Sequence, residues 1–162
     1  NSKQLGNRRE NPMDMDMDVM AAALSTCSCS GLRRTVRAVT GHFDQAFEPI
    51  GLKCSQVTVL MAAAVHGPAS VRTLAEVVVL DPSSMSRALD PLEREGLIVR
   101  EVGQSRRNRK ISLTEAGQAK LAAAAPLWQQ AQAEFNAILG GDNIQVFNEI
   151  LQRTGQIVED AA

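Results

Sequence analysis

The chain has 162 residues, 44% of them hydrophobic and 3% aromatic, with no tyrosine and a formal net charge of −1. That length suits one domain with a buried core, and the near-neutral total gives no hint of a nucleic-acid partner. No stretch approaches the roughly 20 apolar residues needed to span a bilayer, which excludes a helical membrane protein.

Residues 1–25 read as a flexible N-terminal tail: NSKQLGNRRENP is polar and unpatterned, and MDMDMDVM alternates Met with Asp. The thioethers are soft donors that could take Cu(I), but an unstructured start is the stronger reading. The start lacks the pattern of a signal peptide. Three cysteines are an odd count without disulfide-framework spacing, so free thiols in a reducing cytoplasm are expected.

Leu32, Val36, Val39, Phe43 and Phe47 predict a long first helix over residues 26–49, with Arg33, Arg34 and Arg37 off its apolar stripe and Pro49 and Gly51 closing it. Ser55 is placed to cap a second helix whose Val57, Leu60, Met61 and Ala64 face inward, ended by Gly67 and Pro68. SVRTLAEVVVL predicts a short third helix with Leu74, Val77 and Val78 apolar.

The stretch from Asp81 to Thr114 is the organising one. Asp81 can cap a helix and Pro82 suits its first position. Met85, Leu89 and Leu92 then share a face, and Gly96 ends the helix. LIVREV alternates like a half-buried strand, GQSRRNR is a basic turn, and KISLT is the returning strand. A helix followed by a two-stranded wing suits major-groove insertion with a flanking arm. Arg100, Arg106, Arg107, Arg109 and Lys110 face a single acid, Glu101, in this segment, a local positive field suited to phosphates.

Thr114 is placed to cap a helix carrying Leu121, Leu127, Trp128, Ala131, Phe135 and Ile138, kinked at Pro126 and ending at Gly140-Gly141. Asp142 is placed to cap the last helix, with Ile144, Phe147, Ile150, Leu151, Ile157 and Val158 apolar. A small tri-helical unit does not need these long amphipathic helices. Burial against a second subunit explains them, and two-fold symmetry would match palindromic DNA half-sites.

The order of elements, with SSMSRALDPLEREGLIVR followed by RRNRKISLTEAG, resembles the MarR family of transcriptional regulators from about Leu32 to Phe135. The fold class expected is mainly α with a two-stranded β-wing: a winged helix-turn-helix lobe over about 52–114 within a domain over 26–162. Dimerisation helices would lie over about 26–49 and 114–160. The resemblance implies an obligate homodimer on double-stranded DNA, usually a repressor released by a small molecule or oxidant. Two positions depart from the family pattern: Ser105 stands where the wing usually has Asp, with Arg107 in the Arg position, and Pro91 lies inside the recognition helix, where it predicts a kink.

Arg87 is the leading candidate for a base-edge contact, with a phosphate contact or an ion pair to Asp90 as alternatives. Ser83, Ser84 and Ser86 suit phosphate or water-mediated contacts. Arg106, Arg107 and Arg109 suit the minor groove, or else form a solvated loop. Arg72 and Thr73 are weaker backbone candidates.

Cys27 and Cys29 open the first helix and Cys54 precedes the second, positions where a helix dipole favours thiolate. The resemblance puts these helices near the effector region. Three thiols there would make a soft site for arsenite or Cu(I), and a disulfide from Cys54 to Cys27 or Cys29 is the oxidant alternative. Incidental small residues, or an organic effector in an apolar pocket, compete with both. His42 and His66 do not form an ordinary zinc pattern. No phosphate loop, HExxH, nucleophile elbow or CxxC occurs, so no enzyme and no required cofactor are expected. A thiol-based metal chaperone is the remaining reading of another class.

Overall fold

A computed structural model describes residues 17–101, 110–141 and 143–159. The chain divides into two compact units, one ending at Thr40 and the other starting at Gly41.

The first unit holds helix α1 (Met17–Thr26) and most of helix α2 (Ser28–Phe47). Residues 17–25 were expected in a tail. They are helical instead, because Met20, Ala21, Ala22, Ala23 and Leu24 are strong helix formers that outweigh the Met-Asp alternation before them. The single long helix expected over 26–49 is divided at Cys27 and finishes in a 3₁₀ turn (Glu48–Ile50) containing Pro49. Backbone bonds bridge the division, from Cys27 N–H to the Ala23 carbonyl and from Gly31 N–H to the Cys27 carbonyl. No described residue of this unit is buried, and Leu24, Leu32 and Val36 are exposed by 62%, 46% and 61%.

The second unit holds the core. Helices α3 (Cys54–His66), α4 (Val71–Val77) and α5 (Pro82–Arg94) make the tri-helical group. Strands β1 (Ile98–Glu101) and β2 (Lys110–Leu113) pair antiparallel, with Ile98 opposite Leu113 and Glu101 opposite Lys110. Helix α6 (Glu115–Leu139) packs on α3 and β2, and helix α7 (Asn143–Glu159) follows it. Leu60, Leu74, Met85, Leu89, Leu92 and Ile111 are fully buried, so the apolar side of α5 predicted from its spacing faces the core.

The start of α3 differs from expectation. Ser55 lies inside the first turn. The free N–H groups of Lys53 and Cys54 are taken by Gln56 Oε1 at 2.8 Å and by Asp44 Oδ1 of α2 at 2.7 Å. The inward face of α3 is Val57, Val59, Leu60, Ala62 and Ala63, with Met61 39% exposed and Ala64 exposed. On α4 the small Ala75 joins Leu74 inside, and Val77 is 42% exposed. Both helices bury alanines on their inner faces.

Ala69 extends the wing at its root: its N–H donates to the Ile111 carbonyl at 3.1 Å, and the Ile111 N–H donates to its carbonyl at 2.8 Å. Helices α5 and α6 run unbroken through Pro91 and Pro126. Thr114 caps α6 as expected, accepting from Gly117 N–H at 3.0 Å while donating to the Gly96 carbonyl at 2.6 Å. The cap expected from Asp142 lies outside the described residues.

Candidate DNA-binding site

The helix-turn-helix is α4, the turn through Val79, and α5. Ser70 caps α4 by accepting from Thr73 N–H at 3.1 Å. Asp81 caps α5, taking the Ser83 and Ser84 N–H groups on one oxygen at 3.0 and 2.9 Å. The Ser83 hydroxyl donates to the same oxygen. These hydrogen bonds, the Ser83 hydroxyl foremost, hold the Asp81 carboxyl well below the usual carboxylate range.

The candidate contacts on α5 differ in what they have left to offer. The Ser83 hydroxyl has its proton committed to Asp81 and is left as an acceptor. Ser84 accepts from Arg87 Nη2 at 3.1 Å, and its hydroxyl also helps to hold the Asp81 carboxyl down. Arg87 is exposed, and that bond to Ser84 leaves most of its guanidinium donors open. The Arg87–Asp90 ion pair weighed above does not form. Asp90 pairs instead with Arg100 of β1, whose Nη2 lies 2.6 Å from Asp90 Oδ1. Ser86 is half-buried, and its carbonyl also accepts from Arg100 at 3.1 Å.

Arg72 is exposed and paired with Glu76 at 2.9 Å, so a DNA contact would have to compete with that partner. Arg106, Arg107 and Arg109, with the departure at Ser105, lie outside the described residues. Arg100 therefore does not join a free positive field on the wing, as the charge count suggested. It is absorbed into α5. The strand alternation held this signal, since Arg100 shares the inward face of β1 with Ile98.

The thiols lie apart in character. Cys27 is exposed at the α1–α2 junction, and hydrogen bonds from the Ser30 backbone and hydroxyl, then from the Cys29 backbone, draw its thiol below the ordinary cysteine range. Cys29 is also exposed. Cys54 opens α3 but does not gain thiolate character: burial first, then the Asp44 carboxylate, push its thiol up. Desolvation and a like charge outweigh the helix dipole there. Among the described residues no group of three or more His, Cys, Asp or Glu side chains is placed to hold a metal ion.

His42 Nε2 donates to the Ala131 carbonyl at 2.9 Å, joining the end of α2 to α6 beside a cavity of about 270 Å³. Gln45, Pro49, Leu127, Gln130 and Glu134 also line it. Among the described residues, no helix is long and apolar enough to cross a membrane.

A capped helix set between a second helix and a two-stranded β-wing is the arrangement of a winged helix-turn-helix. The family model of the MarR family matches residues 52–111. An uncharacterized HTH-type transcriptional regulator of Bacillus cereus is 33% identical over 103 residues, 63% of this chain and 69% of the relative. The solved structure of the Mycobacterium tuberculosis transcriptional regulator MosR in complex with DNA is similar with a TM-score of 0.75 and 29% identity, over 83% of this chain and 98% of that one. The transcriptional repressor CouR bound to p-coumaroyl-CoA is similar with a TM-score of 0.75 and 25% identity, over 82% and 94%. The chain belongs to the MarR family. It is a DNA-binding transcriptional regulator of winged-helix fold.

Proposed function

We propose that the protein is a homodimeric repressor that binds a palindromic operator through α5 and the wing and is released by a thiol-reactive effector. The observation that carries the docking reading is Arg87: exposed on the recognition helix, with no carboxylate partner among the described residues. In this reading Arg87 reaches a base edge or phosphate, and Ser83, Ser84 and Ser86 contact the backbone directly or through water. Arg106, Arg107 and Arg109 enter the minor groove, and Arg72 and Thr73 add backbone contacts. Uncovered apolar positions favour the dimer, among them Ile138, Ile150 and Ile157, exposed by 76%, 54% and 68%.

Release acts on Cys27, Cys29 and Cys54, with Cys27 the leading thiol because it is exposed and its thiolate is favoured. Arsenite or another soft ion would bind the thiolates, and an oxidant would join two of them. An organic effector is the second reading, favoured by the cavity beside His42 and by the CoA thioester held by CouR.

Fluorescence anisotropy on the chain's own upstream duplex tests these steps. Binding should weaken steeply with salt, and Arg87→Ala with Arg107→Ala should weaken it further. Salt-independent or absent binding would favour the metal chaperone. Arsenite that releases the duplex, with reversal by excess dithiol, supports the thiol sensor. Unchanged binding under both arsenite and peroxide favours the organic effector, and a response preserved in Cys54→Ser removes Cys54 from the site.

A further inference from the structure

Helix α5 presents two carboxylates as well as Arg87. Asp90 and Glu93 have side chains exposed by 53% and 41%. Uncompensated acids on a helix that enters DNA would face the phosphates, and like charges brought together at an interface weaken association. Both are met by one cation. Arg100 projects from β1 with its side chain only 13% exposed, Nη2 lying 2.6 Å from Asp90 Oδ1 and Nε 3.3 Å from Glu93 Oε2. The second contact is ionic rather than an aligned hydrogen bond, since Nε is buried without a hydrogen-bond partner.

The third contact lies in the same turn of α5. Pro91 supplies no N–H for the Arg87 carbonyl, and Arg100 donates to the neighbouring Ser86 carbonyl at 3.1 Å. With so little of its side chain exposed, Arg100 has little surface to offer a phosphate of its own.

We propose that Arg100 is a positioning residue for DNA binding, which masks Asp90 and Glu93 on the recognition helix and sets operator affinity without touching DNA. The inference rests on the DNA-binding reading of α5. It also assigns one cation of the wing segment to the protein's own helix rather than to the duplex.

The test is anisotropy on the upstream duplex with wild type, Arg100→Met, and Arg100→Met combined with Asp90→Asn and Glu93→Gln. Thermal melts establish that each variant is folded. Arg100→Met alone should lose about tenfold or more in affinity, through the two unmasked carboxylates. The triple variant, which has no charge left to mask, should recover to within about threefold of wild type. Affinity in the triple variant as low as in Arg100→Met overturns the proposal, because Arg100 then meets DNA itself.

Arg100→Gln serves if Arg100→Met does not fold. It keeps a donor without the charge, so it should lose about tenfold and recover when combined with Asp90→Asn and Glu93→Gln, and a failure to recover would overturn the masking role. Wild type that does not bind the duplex removes the DNA-binding reading and the inference with it. Wild-type binding that Arg100→Met leaves unchanged removes this inference alone.

Discussion

The backbone of Gly117, in the first turn of α6, lies against the carbonyl of Leu97 so closely that a Cβ added there would stand 1.9 Å from that oxygen. Thr114 N–H donates to the same carbonyl at 3.1 Å, so the end of the recognition segment and the start of α6 meet backbone to backbone. Gly117→Ala should destabilise the protein by more than about 2 kcal/mol, since backbone rather than a movable side chain must shift. Thermal or urea unfolding reads this directly, and a variant as stable as wild type would contradict the contact.

Val79 has φ of +55° in the turn between α4 and α5 and is 86% exposed. A β-branched residue pays a steric cost in this region and gains no burial in return. Val79→Gly should raise stability by about 0.5–1 kcal/mol, the relief of strain exceeding the added freedom of the unfolded chain. A lower melting temperature would show that Val79 is not strained.

Asp81 is ionised more readily in the folded chain than in the unfolded one. Its contribution is therefore complete above the unfolded carboxyl value of about 4 and is lost as the pH falls from there through the folded value. Asp81→Asn keeps a capping oxygen that does not titrate. Melting curves from neutral to acid pH should fall less steeply for this variant, and parallel curves would count against the cap as the source.

The thiols should separate by rate. At neutral pH a soft alkylating agent should modify Cys27 before Cys54, and Cys54 should catch up as the pH rises, because its thiol is shifted upward by burial and Asp44. Mass spectrometry of partly alkylated protein resolves the order. Cys54 reacting first at pH 7 would reverse the assignment of the leading thiol.

The recognition helix was legible because local and tertiary demands agree there: Asp81 caps, Pro82 opens, and Met85, Leu89 and Leu92 are buried at helical spacing. Thr114 was legible for the same reason. What escaped was settled between distant segments. Nothing near Cys54 announces that Asp44 will take its N–H and raise its thiol. A charge count cannot show that Arg100 folds back onto Asp90. On α3, Met61 outranks Ala62 in hydrophobicity, yet Ala62 is buried and Met61 is 39% exposed, a choice set by the neighbours of the helix and not by its own sequence.

The bridge between Ala69 and Ile111 bears on how this lobe tolerates changes of chain length. Ile111 is fully buried, bonded to Ala69 through both its N–H and its carbonyl, and opposed to Arg100 across the hairpin. An insertion between Ile111 and Thr114 would turn a polar residue into that position and misplace the cap of α6. The same insertion between Glu101 and Lys110 leaves the paired root untouched. Relatives should therefore vary in length at the tip of the wing and keep one fixed spacing from Ile111 to Gly117.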